Sequence, residues 1–438
     1  MGAMQKLGAS NKFFYYVMTG NASFNIRLSL TINDLNLDMF KEAANEAINR
    51  YPELGARTII HQNTLISKVI DEKIVFVKED NKIRHFGTDE TNGYLFYFIE
   101  NGNKVTISYY HGLSDVVGIL EYLRCLMYLY ATKTSFSLSE EELNELLPTI
   151  RCKDFCISDE NEMEALDPYS MHGDSNVTED YHFDNKGAYS LPNADYPDDA
   201  DYLHEQLITL STSEFIKRTK ELGVSVVPLI NDIVSTAIRN EYDTENMPVT
   251  AMVPVNLRPY VGSNTVVNCS DGIFIPYEKE DETLDITERC LKWKSFMNKQ
   301  IATNNFIKLM GNKVSSVEAF EKDEMPIIEQ AKIKTMVPKK GTVRPLTYAL
   351  TYPGKMTLLS GLDRMLENFE LRGLARSNSV VAHTFKDIMR IQVVTRTDDT
   401  KLTDCILNQL EKLNIVAKCV DCQRVYADKL IMEELLNE

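Results

Sequence analysis

The run from Val116 to Tyr130, with Glu121 and Arg124 as its only charges, most constrains how this chain can fold. It reads as one long apolar helix, too short for the ~20 residues that span a bilayer, so it has to lie inside a protein core. Directly before it, Lys104–Tyr110 alternates apolar and polar residues as a half-buried strand does. A strand that hands over to a buried helix implies helices packed on sheets. The 438 residues exceed what one core usually serves, so two lobes of roughly 200 residues each are expected.

Further segments repeat this alternation of strand and helix. Leu28–Ile32 reads as a strand, and Asn36 or Asp38 then caps a helix carrying Met39, Phe40, Ala43, Ala44, Ala47 and Ile48 at helical spacing. Pro52 ends it. Strands are expected at Thr58–Ile60, Lys73–Val77, Tyr94–Ile99 and Lys104–Tyr110. From about 138 to 205 the periodicity fades. Asp, Glu, Asn, Tyr and Pro dominate there, with acidic runs at 158–162 and 196–201, as in a solvated crossover. A second set begins with the strand Tyr202–Leu210. Ser211 or Ser213 opens a helix that Gly223 closes, and Pro228–Asn240 forms another. The strands Pro248–Val255, Pro345–Leu350 and Ile388–Val394 follow, and a helix from Lys401 to Leu413 is expected to close the lobe. The division expected is residues 1–145 as a first lobe, 146–201 as an acidic crossover and 202–438 as a second lobe.

Lys and Arg number 47 against 64 Asp and Glu, a net charge of −17. That field repels polyanions, so nucleic acid and anionic membrane surfaces are poor partners. Met1–Lys6 lacks the apolar core of a signal peptide, and the chain is expected to be cytoplasmic and monomeric. Eight cysteines are too dilute for a disulfide scaffold. Cys419-Val-Asp-Cys422 has the spacing of a metal knuckle, and Cys152 and Cys156 form a second close pair. Neither has a neighbouring partner set to complete a zinc site, so reduced cysteines and no metal are expected.

Chemistry concentrates in Val105-Thr-Ile-Ser-Tyr-Tyr-His111-Gly-Leu-Ser-Asp115-Val-Val-Gly118. His111 stands where the strand ends and the loop begins, a rigid position from which an imidazole can take a proton near neutral pH. Read locally, two structural roles compete with this. His111 is also what a satisfied structural histidine looks like, and Ser114 or Asp115 suits an N-cap. No Gly-rich phosphate loop and no Gly-x-Ser-x-Gly elbow is present.

His111-Gly-Leu-Ser-Asp115 resembles the His-x-x-x-Asp core of the His-His-x-x-x-Asp-Gly motif. That motif marks the chloramphenicol acetyltransferase-like superfamily, which includes alcohol acetyltransferases and the condensation domains of peptide synthetases. Other segments are similar in the expected order: Leu37–Leu54 with its Arg50-Tyr51-Pro52 ending, Val224–Arg239, Val253-Pro-Val-Asn-Leu-Arg258 with Ser263–Asn268, and Thr347–Gly354. The resemblance spans about residues 8 to 415 and looks closest to bacterial alcohol acetyltransferase-like proteins. Tyr110 replaces the first His, Val116 replaces the Gly after Asp, and Thr351-Tyr-Pro-Gly354 replaces a Ser-Asn-x-Gly strand end.

The resemblance implies an α/β fold of mixed sheets with helices, in two lobes with a tunnel between them. It implies His111 as general base and Asp115 as a structural residue that positions the His loop by pairing with an arginine, for which Arg258 is the candidate. A charge swap of the two is expected to recover folding. Candidate oxyanion donors or substrate contacts are Thr351, Tyr352, Asn268 and Tyr110. The implied reaction moves an acyl group, acetyl or a short to medium chain, from a coenzyme A thioester to a hydroxyl or amine of a small-molecule acceptor. The alternatives are a condensation-type transferase fed by an acyl carrier protein and an inactive binding or scaffold protein on the same fold.

Overall fold

The computed structural model describes residues 4–20, 23–80, 82–153, 166–192, 202–334, 345–375, 378–397 and 399–435. Strand β1 (Met4–Lys6) joins β4 (Thr64–Val69) and β3 (Ala56–His61) in a small sheet. A five-stranded sheet runs in the order β12 (Leu366–Ala375), β2 (Phe24–Ile32), β7 (Lys104–Tyr110), β6 (Phe96–Asn101), β5 (Phe76–Lys78). A seven-stranded sheet runs β10 (Ser270–Tyr277), β9 (Val249–Asn256), β11 (Tyr348–Thr351), β13 (Ser379–Phe385), β14 (Ile388–Thr395), β8 (Tyr202–Ser211), β15 (Ala417–Tyr426). Pairings are antiparallel except β5 with β6 and β11 with both its neighbours, so the sheets are mixed, as expected.

Alternation decides what each face of the five-stranded sheet meets. Leu28, Leu30, Val105, Ile107, Phe96, Phe98, Phe369 and Leu371 are in register on one face, against the helices Leu37–Ile48 and Val116–Lys133. Asn36 caps the first of these by accepting from Met39 N at 3.1 Å. Its Phe40 ring packs on Phe98 at 5.8 Å, and Tyr122 of the second helix packs on Phe96 at 6.0 Å. The apolar run at 116–130 is buried as its composition requires: Ile119, Tyr122, Leu123, Leu126, Met127 and Tyr130 are at most 1% exposed. Helices Val226–Glu241, Ile286–Gln300 and Lys401–Lys412 cover the seven-stranded sheet in the same way.

The opposite face of the five-stranded sheet is polar and meets the second sheet. Strand β12, from late in the chain, adds to β2 and leaves its other edge free. The N–H groups of Leu371 and Gly373 on that edge donate to His383 Nε2 (3.2 Å) and Gln392 Oε1 (2.9 Å), which rise from β13 and β14. A bare strand edge is an exposed row of donors and acceptors, and here side chains of the other sheet close it. The approach is tight. A Cβ on Gly373 would lie 3.1 Å from the Val381 side chain.

Several segments differ from the sequence expectation. Strands β1, β4, β10, β12, β13 and β15 were not anticipated, although Phe369-Glu-Leu-Arg372 in β12 does alternate. The helix at 401–412 does not close the lobe. It is followed by β15 and by a strap over the first sheet, where fully buried Asp428 accepts from Asn25, Arg27, Tyr97, Ser108 and the Arg84 N–H. The crossover is not simply solvated either. Tyr169 is buried and donates to Ser270 O at 2.8 Å, and Asp174 N donates to Ile307 O at 3.0 Å. The acidic runs at 158–162 and 196–201 fall outside the described residues.

Because His383 Nε2 accepts a hydrogen bond, its neutral ring carries the proton on Nδ1. Burial, with Arg390 next, pushes its pKa down to about 3. Unfolded, the same ring takes up a proton as pH falls through about 6.5. Stability that is present above pH 6.5 is therefore lost as pH drops towards 3, by about 1.4 kcal/mol per pH unit for this group. His383→Gln keeps an acceptor for Leu371 and should flatten the dependence of urea-unfolding stability on pH between 6.5 and 5 by that amount. Equal slopes in the two proteins would show that the folded ring is not held neutral.

Candidate active site

His111 follows β7, and its main chain is held on both sides. Its N–H donates to Phe24 O at 2.8 Å, and its carbonyl accepts from Asn268 Nδ2 at 2.9 Å. The ring lies between Phe14 (centroids 5.1 Å, tilted) and Phe24 (4.9 Å, edge to face). Nδ1 is 3.1 Å from Ser114 O and 3.3 Å from Asn268 Nδ2. A neutral ring cannot both donate and accept at one nitrogen. Ser114 O can only accept and is the nearer of the two, while one Asn268 amide hydrogen already serves the His111 carbonyl. Nδ1–H therefore donates to Ser114 O, which leaves Nε2 as the basic nitrogen. Burial lowers the His111 pKa below its usual value, and the charge of Lys313 adds to this. The Ser114 hydrogen bond and the charge of Asp115 act the other way.

Asp115 turns away from the ring. It is the N-cap of the helix Val116–Lys133, with Oδ1 accepting from Gly118 N at 3.1 Å. Its Oδ2 accepts from Arg258 Nη1 and from Cys269 N, both at 2.8 Å. Arg258 is just as fully used. Nε donates to Thr265 O (2.7 Å), Nη2 to Val267 O (2.8 Å) and Nη1 also to Asn256 Oδ1 (3.1 Å). The two side chains are 8% and 9% exposed, so one buried pair ties the His loop to the 263–269 turn of the second half. Ser114 does not cap the helix. Its hydroxyl reaches across to Val266 O at 2.5 Å. Gly118 makes that approach possible, since a Cβ there would lie 2.0 Å from the same carbonyl. Val116, in place of the motif's glycine, takes the first helical position without a positive φ.

Of the other sequence candidates, only Asn268 is at the ring. It is fully buried, its amide hydrogens face His111, and its Oδ1 accepts from Ser270 N and Oγ. One amide hydrogen holds the His111 carbonyl and the other lies beside Nδ1, so Asn268 fixes the loop that carries the ring. Tyr110 points into the core, with its hydroxyl on Phe14 O (3.0 Å) and Met18 O (2.8 Å). It anchors the helix Ala9–Val17 and does not reach a substrate. Thr351 and Tyr352, at the end of β11, are half-buried, and among the described residues neither hydrogen-bonds to the His111 loop. Phe14, Phe24 and Asn11 also meet the loop and were not among the sequence candidates; Asn11 Nδ2 donates to Gly112 O and Leu113 O. The pairing of Asn25 with Tyr110 is the signal that sets Phe24 against His111. Nothing local marks Phe14 or Asn11.

This geometry reverses the expectation for the charge swap. An Asp at 258 would face the carbonyls of Thr265 and Val267, and an Arg at 115 would face the N–H groups of Gly118 and Cys269. Arg258→Ala should cost about 3–5 kcal/mol, since it leaves a buried carboxylate without its partner. The double variant Asp115→Arg, Arg258→Asp should be no more stable in urea unfolding than the weaker single variant. Recovery of stability in the double variant would contradict the donor pattern.

No family model and no curated protein sequence matches the chain. Solved structures do match its fold. TRI101 of F. sporotrichioides, in complex with coenzyme A and T-2, superposes with a TM-score of 0.59 at 10% identity, over 96% of this chain and 100% of that one. The epimerization domain from the third module of tyrocidine synthetase B gives 0.59 at 12% identity, over 94% and 97%. Polyketide synthase associated protein 5 from Mycobacterium tuberculosis gives 0.57 at 13% identity, over 93% and 96%. At such identities the matches speak for architecture alone, and on architecture they agree: this chain shares the two-lobed mixed α/β fold of these structures, the fold that the resemblance in its sequence implies.

Proposed function

We infer that the chain is an acyltransferase that moves an acyl group from a coenzyme A thioester to a hydroxyl or amine, with His111 as general base. The observation that carries this is the state of the ring. Nδ1–H is committed to Ser114 O, and Nε2 is left as an acceptor on a loop that the 263–269 turn holds by its main chain. Nε2 takes the acceptor's proton as its oxygen or nitrogen attacks the thioester carbonyl. The tetrahedral intermediate collapses, the carbon–sulfur bond breaks, and the proton passes from Nε2 to the departing thiolate. The base is regenerated without a covalent enzyme intermediate. The likeness to a structure holding coenzyme A supports the choice of donor. The equal likeness to a peptide-synthetase epimerization domain supports a second reading, in which the acyl group arrives on a carrier protein's phosphopantetheine arm and the same nitrogen acts.

Release of free coenzyme A from acetyl-CoA, followed by chromatography over a panel of alcohols and amines, separates the two donors. Turnover only with an acylated carrier would favour the second. With either donor, His111→Ala should lower kcat/KM by about 100-fold or more with little change in Tm. Near-normal turnover in that variant would remove His111 from the role. Because only the neutral ring accepts a proton and burial lowers its pKa, the acid limb of kcat/KM should fall with a midpoint below the ordinary 6.5.

A further inference from the structure

The cysteine pair that the sequence leaves without a role, Cys419 and Cys422, lies on β15, the outermost strand of the seven-stranded sheet. In a regular strand, residues three apart face opposite ways. Here the ladder against β8 skips one residue: Cys419 stands opposite Ile208, Asp421 opposite Leu207 and Cys422 opposite Gln206. Val420 is the extra residue of a bulge, so the two cysteines come out two rungs apart on one face, both exposed. Two rungs set their Cα atoms about 6.6 Å apart, near the upper end of the span a disulfide bridges, so closing the bond has to draw the two Cβ atoms together by a backbone adjustment at the bulge.

A histidine on the neighbouring strand is aimed at one of these sulfurs. His204 is buried, and its Nε2 lies 3.4 Å from Cys422 Sγ. Gln206 sets its tautomer. The Gln206 amide nitrogen donates to Asp399 O and to His204 Nδ1, each at 2.9 Å, and turning the amide over would press its oxygen against the Asp399 carbonyl. With Nδ1 accepting, the neutral ring carries its proton on Nε2, and that N–H points at sulfur. Such a donor favours the thiolate.

We propose that Cys419 and Cys422 form an oxidisable thiol pair that closes to a disulfide by exchange with a small-molecule disulfide, with His204 orienting and polarising the Cys422 sulfur. Cys422 loses its proton to solvent and attacks one sulfur of the external disulfide. A mixed disulfide forms and one small thiolate leaves. Cys419, deprotonated in turn, attacks the Cys422 sulfur and expels nothing from the protein but the second small thiolate. Two protein thiols and one disulfide become one protein disulfide and two small thiols, with two electrons passing outward. At rest Cys422 is a thiol, because burial and then Cys419, Asp421 and Asp404 raise its pKa. Exchange therefore speeds up as pH rises, and His204 opposes that set. The pair is separate from the proposed acyl transfer and stands or falls independently of it.

The test treats the reduced full-length protein with oxidised glutathione at pH 8 and weighs its peptides after acid quenching. The peptide holding both cysteines should lose two hydrogens before Cys152, which is exposed and among the described residues has only backbone carbonyls as partners, is modified. Cys419→Ser should stop at a glutathione adduct on Cys422. His204→Gln should slow the first step measurably, since losing the N–H donor lowers the thiolate fraction more than it raises the nucleophilicity of the remaining thiolate. A wild-type pair that stays reduced while Cys152 reacts, or equal rates with and without His204, would overturn the proposal.

Discussion

The buried contact between Asp115 and Arg258 organises this molecule more than any other single interaction. Removing two charges from water is costly, and their mutual attraction repays that cost only if the remaining donors and acceptors are also satisfied. Here they are. The carboxylate takes two backbone N–H groups besides the guanidinium, and the guanidinium takes two backbone carbonyls and an asparagine oxygen. The pair therefore fixes geometry. It sets the start of the long apolar helix, the turn at 263–269 and, between them, the loop that carries His111. Ser114 on Val266 O and Asn268 on the His111 carbonyl extend the same joint.

The second joint solves a different problem. A strand from late in the chain completes the first sheet, and its outer edge needs hydrogen-bond partners. A further strand would extend the sheet without end, so the partners are side chains, His383 and Gln392, standing on the face of the other sheet. This explains why residues that are usually exposed sit in the middle of β13 and β14 at 1% and 0% exposure. One joint positions the candidate site and the other makes the two halves a single unit. Both are polar, which gives them a directionality that apolar packing lacks.

These joints also mark where the sequence stops being legible. The buried helix at 116–133, the Asn36 cap and the helix closed by Gly223 are local facts of periodicity and turn chemistry, and they are readable from the chain. His111, Asp115 and Arg258 were singled out through the resemblance, since local sequence left structural roles open for each, and the ion pair between the last two is present in the fold. Strands β12, β13 and β15 were not. In β13 and β15 polar positions answer to partners far away in sequence, which breaks the alternation, whereas β12 does alternate and only its partner strand lies far off. Tyr110 and Asn268 show the same limit. Their residue types suit substrate contact, but only the fold shows that Tyr110 faces the core and that Asn268 has its amide turned to the His111 main chain.

A histidine base oriented by a backbone carbonyl differs in kind from one oriented by a carboxylate. A carboxylate on Nδ1 stabilises the imidazolium and raises the ring's basicity. Ser114 O gives the same orientation and tautomer with a weaker pull on the proton, and the nearby negative charge of Asp115 is largely spent on Arg258 and two amides. The outcome is a ring that burial keeps neutral and therefore ready to accept. For the inferred reaction that balance is apt. The proton taken from the acceptor has to be given back to a thiolate within the same turnover, and a base strong enough to keep it would stall at that step. Asp115 thus serves the base best by turning away from it.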